Sequence, residues 1–380
     1  MQTNKNNTFK KIILGIIFFA TIISSLFLVI SNFAHFLNPA QWWVVALIGL
    51  VFPLLLLFTI AFAIFWLFVN SKKSIIPLIA ILVSFPNIKA CFAFHPLSGF
   101  IETKAVNNIR VVTWNVGLMN YEAPDSATAA DNNTLIFNSL QELNADVICL
   151  QEFFTEVIPN SNLNFIDSIT RNLHYPYHYF SYDRSQFNGA FYSGTIIFSK
   201  YKITDTNKVI YPKPFPGSVI EAGLLVNNDT INIITSRLQS FHLETADYQA
   251  LHSLKEGSAN GIANTKTIAG KLKYGYAQKV AQVNIINQLI TNSKHPVIFT
   301  ADMNDVPSSY AYATIKNDMT DAWLDKGFGI GRSFRYIAPT LRIDYIFCDS
   351  YFNCTQTRRI LTTSSDHNGL VADFSINKIN

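Results

Sequence analysis

Two long runs without a charged side chain, residues 12–34 and 42–69, constrain this chain more than any other feature. A helix needs about 20 apolar residues to cross the hydrocarbon core of a bilayer, where no water satisfies a free backbone group. Both runs are that long. The second opens with Trp42 and Trp43 and carries Trp66 near its far end, as aromatic belts do at the two membrane–water boundaries. Pro53 falls inside it, which bilayer helices tolerate better than soluble ones. The first run exceeds the roughly 7–15 apolar residues of a signal peptide, and no small-residue cleavage site follows cleanly, so a retained anchor is expected.

A third run, residues 75–85, is short for a span. It reaches residue 94 only by carrying Asn87 and Lys89 near one end, where a lysine can snorkel. Lys5, Lys10 and Lys11 precede the first run, Lys72 and Lys73 separate the second from the third, and the 35–41 connection has no Lys or Arg. The positive-inside rule therefore places the N-terminus and the 70–74 loop in the cytoplasm. Three spans (about 12–34, 42–69 and 75–94) put everything after about residue 96 outside; two would leave it inside. Three are expected, giving an integral protein of the inner cell membrane with an extracytoplasmic domain. No Asp, Glu or Arg lies within the runs. Such groups mark ion and proton pathways, so anchoring is favoured over transport.

Charged residues make up 14% of the chain, where about 25% is usual. That apolar balance excludes intrinsic disorder, and four cysteines in 380 residues exclude a small disulfide scaffold. Residues 1–95 hold six lysines and no Arg, Asp or Glu; the remainder carries 23 basic against 25 acidic side chains. The basic charge thus belongs to the anchor, residues 1–95, and gives the following domain, residues 100–380, no support for strong DNA affinity.

Within that domain, strand-like runs occur at 109–116, 146–150, 194–199, 217–226, 230–235, 296–300, 342–347 and 369–376. Helical periodicity is clearest at 277–290 and recurs at 133–143. Several neighbouring strands lack an intervening helix, which predicts two packed sheets with helices outside rather than one doubly wound sheet. Segments 183–193 and 256–266 read as loops or insertions. Gly327, Gly329 and Gly331 fit no dinucleotide fingerprint and read as a flexible loop. The cysteines lack CxxC spacing; Cys149 reads as core, and Cys348 and Cys354 read as free thiols that could pair outside the cell. Arg332, Arg335, Arg358 and Arg359 read as a solvated face, with a basic rim as the alternative.

Polar residues stand at the ends of apolar strands. "VVTWNVG" runs into Asn115, and "ADVICLQEFF" carries Gln151 and Glu152. "PVIFTADMNDVPSS" leads to Asp302, Asn304 and Asp305. "LRIDYIFC" sets Asp344 among apolar neighbours, and "SSDHNGLVADF" places Asp366 and His367 before the last strand. Alone, a Glu after a strand is more often a solvated turn residue, and a lone Asp344 would be a satisfied buried group. Five such sites in one domain point to convergence at one edge of a sandwich.

These five stretches, in this order, resemble the motifs of the endonuclease/exonuclease/phosphatase superfamily, which is deoxyribonuclease-I-like. "GTIIFSKYKI", "LQSFHL" and "MTDAW…GFGIGRSF" add to the resemblance, which covers about residues 107–377. The preceding spans resemble those of membrane-anchored bacterial members. The resemblance implies an α+β fold: a four-layer α/β/β/α sandwich, two mixed sheets flanked by helices, after two to three transmembrane helices. It implies Glu152 as principal metal ligand with Asn115 and Asp366 nearby, holding Mg²⁺ or in its place Mn²⁺. Asp302 would orient or deprotonate the attacking water and Asn304 would help hold the phosphate or that water. Asp344 would fix the tautomer of His367, whose other nitrogen donates to a non-bridging oxygen. Hard oxygen donors suit such an ion, which offsets charge on the phosphoryl oxygens.

One position departs from the family pattern. Members commonly carry a histidine in an "HLQS"-like stretch; here "TSRLQSFHLE" has Arg237 in that place and His242 five residues on. Arginine can grip a phosphate oxygen but cannot act as an acid at neutral pH. The expected activity is therefore a membrane-anchored, metal-dependent phosphodiesterase of nuclease or phospholipid-headgroup type. The alternative is a catalytically degenerate anchored binding module with Arg237 as its anion contact.

Overall fold

The computed structural model describes residues 2–159, 161–240, 259–336 and 338–377, with only the backbone described at 2–7 and 259–269. The chain forms two compact units: residues 1–91 with 307–313, and residues 92–306 with 314–380.

The first unit is helical. Thr8–His35 and Phe52–Val69 are each long and apolar enough to cross a membrane. The 42–69 run is not one helix: Trp43–Leu50 ends before Phe52–Val69 begins, and Pro53 sits in the first turn of the latter. There its missing N–H costs nothing, so no kink needs to be tolerated. The third run is also broken, into Ser71–Val83 and Phe85–Cys91, bent by 56°. Side-chain hydrogen bonds tie the helices together. Trp66 Nε1 donates to Thr21 Oγ1 at 2.8 Å, Ser24 and Thr59 hydroxyls lie 2.9 Å apart, and Asn32 Nδ2 donates to Ser84 Oγ at 2.9 Å. Bilayer helices use such polar pairs because lipid offers no competing partner.

The second unit is built on fifteen strands: β1 (Ala93–Phe94), β2 (Ile109–Asn115), β3 (Val147–Glu156), β4 (Tyr177–Phe180), β5 (Arg184–Gln186), β6 (Phe191–Ser199), β7 (Ile203–Ile210), β8 (Ser218–Val226), β9 (Asp229–Arg237), β10 (Val297–Asp302), β11 (Thr320–Asp321), β12 (Phe328–Gly329), β13 (Asp344–Cys348), β14 (Phe352–Ile360) and β15 (Gly369–Ile376). One sheet runs β14-β15-β2-β3-β6-β4, with β5 added on β6; the other runs β11-β13-β10-β9-β8-β7. Each is mixed, with one central parallel pair, β2·β3 and β9·β10, among antiparallel neighbours.

The strand period of two sorts the side chains. Val111, Val147, Cys149 and Ile197 of one sheet meet Ile220, Ile233, Ile298 and Ile346 of the other in a common core. The alternate residues Val112, Trp114, Ile148, Leu150 and Phe198 pack outward against Ile136, Leu140 and Ile169. Those three belong to helices Ser126–Leu143 and Phe165–Asn172. Helix Ala259–Thr291 buries Val283 and Ile286. Two sheets with helices outside are what the sequence pattern predicts.

Several expectations change. Segment 183–193 is not a loop: β5 and the start of β6 occupy most of it, paired by Arg184↔Ser193 and Gln186↔Phe191. Residues 259–266 are helical, the polar N-terminal extension of the long helix, while 256–258 lie outside the described residues. The glycine-rich 327–331 stretch is packed rather than free. Phe328–Gly329 pairs with Ala93–Phe94, and a Cβ at Gly327 or Gly331 would collide with the Trp323 ring. All four cysteines are buried free thiols, Cys348 and Cys354 included. The four arginines form no basic rim. Arg332 and Arg359 donate to backbone carbonyls, Arg335 Nη1 donates to Ser365 O at 2.8 Å, and Arg358 pairs with Glu102 at 3.0 Å.

Candidate active site

The topology explains why the polar residues follow some strands and precede others. β2 and β3 run parallel, so Asn115 and Gln151 end level. β9 and β10 run parallel, so Arg237 lies beside Asp302. β13 runs against β10 and starts with Asp344 opposite Asp302. β15 runs against β2, so Asp366 and His367, just before it, return to the same edge as Asn115. Parallel strands bring their C-terminal ends there and antiparallel ones their N-terminal ends. Glu152 is re-aimed by a bulge between Leu150 and Phe153, where its φ is +49°. Beneath the edge, Gln151 Nε2 bridges the two sheets, donating to Thr113 Oγ1 at 3.0 Å and Thr235 Oγ1 at 3.1 Å.

Asp302 is the hub. Its Oδ2 accepts from Asn115 Nδ2 at 2.9 Å and Asn304 Nδ2 at 3.0 Å, and its Oδ1 accepts from the Asn304 N–H at 3.0 Å. Asn304, at φ +47°, turns back on Asp302 to make both contacts. His367 Nδ1 is 2.8 Å from Asp344 Oδ2, and its Nε2 lies 4.0 Å from Asp302 Oδ2. Among the described residues, the buried Asp344 Oδ1 has no hydrogen-bond partner. Arg237 Nη2 meets Glu152 Oε1 at 2.6 Å, and its Nε lies 3.6 Å from Asp302 Oδ2. Asp366 accepts from Ser365 Oγ through Oδ1 at 3.3 Å and faces Gly117. The sequence-derived residues Asn115, Glu152, Arg237, Asp302, Asn304, Asp344, Asp366 and His367 thus come together. His242 lies outside the described residues.

The electrostatics follow from burial and close charge. Burial opposes a charged His367, yet Asp344, Asp302 and Asp366 outweigh it and push the imidazole up to about 10. Burial, aided by Asp344, holds Asp302 above the usual carboxylate range against the pull of His367 and Arg237. Burial would also raise Glu152, but Arg237, His367, Asn115 and Arg184 hold it below its usual value. Arg237 loses by burial and gains more from Glu152, Asp302, Asp366 and Asp344, so it stays firmly cationic.

Glu152 and Arg237 open into a cleft of about 380 Å³, lined also by Leu118, Asp183, Arg184 and Ser240. The cleft-facing donors fit a hard divalent cation. Glu152, Asn115 and Asp366 offer oxygen, the Glu152 side chain is 25% exposed, and the carboxylates around Arg237 and His367 leave a formal excess of negative charge. Ligand-type atoms of Asp302, Asp344 and His367 also lie within 4.8 Å of one another, but these residues are buried and bonded among themselves and to the two asparagines.

Two supporting residues escaped the sequence reading. Lys279, on helix Ala259–Thr291, donates from Nζ to Asn304 O at 2.7 Å and to Asp305 Oδ2 at 3.2 Å. Gln282, one turn on, accepts from the Gln239 N–H at 2.8 Å. Their signal was positional: Lys279 shares a helix face with the buried Val283 and Ile286.

A family model described as the endonuclease/exonuclease/phosphatase family matches residues 112–367, and one described as a domain of unknown function matches residues 11–91. No curated protein matches. A crystal structure of an endonuclease/exonuclease/phosphatase from Beutenbergia cavernae is similar at 18% identity and a TM-score of 0.50, over 71% of this chain and 72% of that one. The human Nocturnin catalytic domain with bound sulfate is similar at 16% identity and a TM-score of 0.51, over 75% of this chain and 99% of that one. At these identities the likeness is one of fold. With a family match across more than half its length, the chain belongs to the endonuclease/exonuclease/phosphatase family.

Proposed function

We propose that the protein is a membrane-anchored phosphoric-ester hydrolase that cleaves phosphodiesters by direct attack of water on phosphorus, with Mg²⁺, or Mn²⁺ in its place. The observation that carries this is the meeting of Asp302, the His367–Asp344 pair and Arg237 beside Glu152 at one open sheet edge. Bound by Glu152, Asn115 and Asp366, the cation supplies charge to offset that developing on the phosphoryl oxygens. Asp302, held in place by Asn115 and Asn304, takes a proton from the water as its oxygen bonds to phosphorus. Burial brings that carboxyl closer to neutrality than a free one, which suits a base. Protonated His367 donates from Nε2 to a non-bridging oxygen, and Asp344 keeps it protonated and oriented. Arg237 adds a second donor to the phosphate. The P–O bond to the leaving group breaks as the new bond forms, and the departing alkoxide takes its proton from solvent, since Arg237 cannot supply one.

Substrates of this chemistry include a nucleic acid or a phospholipid headgroup, and fold does not choose between them. The apolar helices Thr8–His35 and Phe52–Val69 support anchoring, and the lysine pattern supports an extracytoplasmic domain in an inner membrane. The binding-module alternative draws on the Arg237–Glu152 contact, which ties up a carboxylate that a metal would need. Hydrolysis of bis(p-nitrophenyl) phosphate by the full chain in detergent separates the two. The hydrolase gives Mg²⁺-dependent, EDTA-sensitive turnover that falls by about two orders of magnitude or more in Glu152→Ala and Asp302→Ala. Folded protein without EDTA-sensitive turnover, or with equal rates in both variants, refutes it.

A further inference from the structure

Arg237 and Glu152 form a contact that the hydrolytic reading leaves unexplained. The guanidinium Nη2 sits 2.6 Å from Glu152 Oε1, and the two side chains are 31% and 25% exposed where they line the cleft. Arg237 is thus neither a buried structural cation nor a solvated surface one. Its Nε has no hydrogen-bond partner among the described residues and lies 3.6 Å from Asp302 Oδ2, too long for a bond. A cation of the chain itself therefore occupies an oxygen of the carboxylate best placed to hold a divalent ion. Guanidinium and metal compete for the same charge. If the ion takes Oε1, Nη2 loses its partner inside a partly desolvated cleft, a state that is costly unless another anion receives it. A phosphate oxygen is such an anion, since a guanidinium forms strong charge-assisted bonds with phosphate.

We propose that Arg237 is an electrostatic latch on Glu152, which makes divalent-cation affinity conditional on a phosphate group in the cleft. The proposal rests on Glu152 being a metal ligand, as in the function proposed above. Without phosphate, Arg237 neutralises Glu152 and the ion binds weakly. With phosphate, Arg237 swings to the anion, Glu152 is released, and both ligands bind together. Coupling between two binding sites is reciprocal, so the ion must strengthen phosphate binding by the same factor. A histidine in place of Arg237 would impose no such condition when neutral.

The test is Mn²⁺ binding to the full chain in detergent, followed by electron paramagnetic resonance with and without inorganic phosphate. Wild type is expected to bind Mn²⁺ about tenfold more tightly with phosphate, equivalent to about 1.4 kcal/mol of coupling. Arg237→Gln is expected to bind Mn²⁺ about tenfold more tightly than wild type without phosphate, and to lose the phosphate effect. Arg237→Lys keeps the charge and is expected to retain part of the coupling; circular dichroism verifies the fold of each variant. If phosphate leaves the affinity of wild type unchanged, or folded Arg237→Gln matches wild type without phosphate, the latch is overturned. Glu152→Gln tests the premise separately: loss of Mn²⁺ binding upholds Glu152 as a ligand even where the latch fails, and undiminished binding removes both.

Discussion

Lys279→Met removes the cation of a pair shut away from solvent, with side chains 2% exposed for Lys279 and 4% for Asp305. Methionine keeps most of the stem, so the packing volume is nearly conserved and the loss is chiefly of charge and hydrogen bonds. Two contacts vanish, to Asn304 O at 2.7 Å and to Asp305 Oδ2 at 3.2 Å. The dominant cost is Asp305, a carboxylate left in a low-dielectric pocket, and breaking such pairs typically costs about 3–5 kcal/mol. Asp305 Oδ1 still accepts from the Val306 N–H at 3.0 Å, which favours the lower end, about 3 kcal/mol. For a domain of this size that corresponds to a fall in Tm of roughly 6–12 °C. Thermal unfolding by tryptophan fluorescence in detergent gives the measurement, and activity at 20 °C should fall because the Asn304 carbonyl loses its anchor. Lys279→Met/Asp305→Asn should recover much of the loss, since no charge then remains unpaired. A Tm unchanged by Lys279→Met, or a double variant no better than the single one, would refute the assignment of Lys279 and Asp305 as a buried support.

In metal-free protein, Asp344→Asn should lower the His367 pKa from about 10 by roughly 2 units or more, read from the imidazole resonance assigned with His367→Gln. Because the folded pKa is raised, the stabilisation from this pair is fully present below the ordinary histidine value near 6.5 and is lost as pH climbs through about 10. The stability gap between wild type and Asp344→Asn should therefore narrow over that window, and a pH-independent gap would contradict the ion pair. Gly331→Ala combines a strained φ of +74° with a Cβ driven into Trp323, so a loss of about 2 kcal/mol or more by chemical denaturation is expected; a neutral result would mean the 327–331 stretch is free. Protease added to intact spheroplasts should digest the 100–380 domain, whereas full protection would indicate two spans and a cytoplasmic site.

The strands that the pattern found and those it did not differ in where they sit. β2, β3, β9 and β10 are central and buried on both faces, so their residues are nearly all apolar or small. β4, β7 and β14 each close one edge of a sheet, and all three fell outside the sequence reading. The eight residues of β7, ITDTNKVI, are largely exposed, which leaves no hydrophobic signature to read. The site divides similarly. Asp302, Asp344 and His367 stood out because each interrupts or borders an apolar run. Lys279 did not, since one lysine on a helix is ordinary until the face it shares with Val283 and Ile286 is known to be buried.

What the amino-acid order determined alone is the division into an uncharged N-terminal helical part and an α+β domain, together with the polar residues that cap its central strands. Those are local properties, set by span length, strand period and the cost of burying a charge. Only the tertiary structure decided how these residues pair. Arg237 is fifty or more residues from Glu152 and Asp302 in the chain, and strand register brings it beside both, 2.6 Å from the first and 3.6 Å from the second. Through-space charge acts over a few ångströms regardless of sequence separation, so the partner that holds a metal-type carboxylate in check emerges only once two sheets have packed.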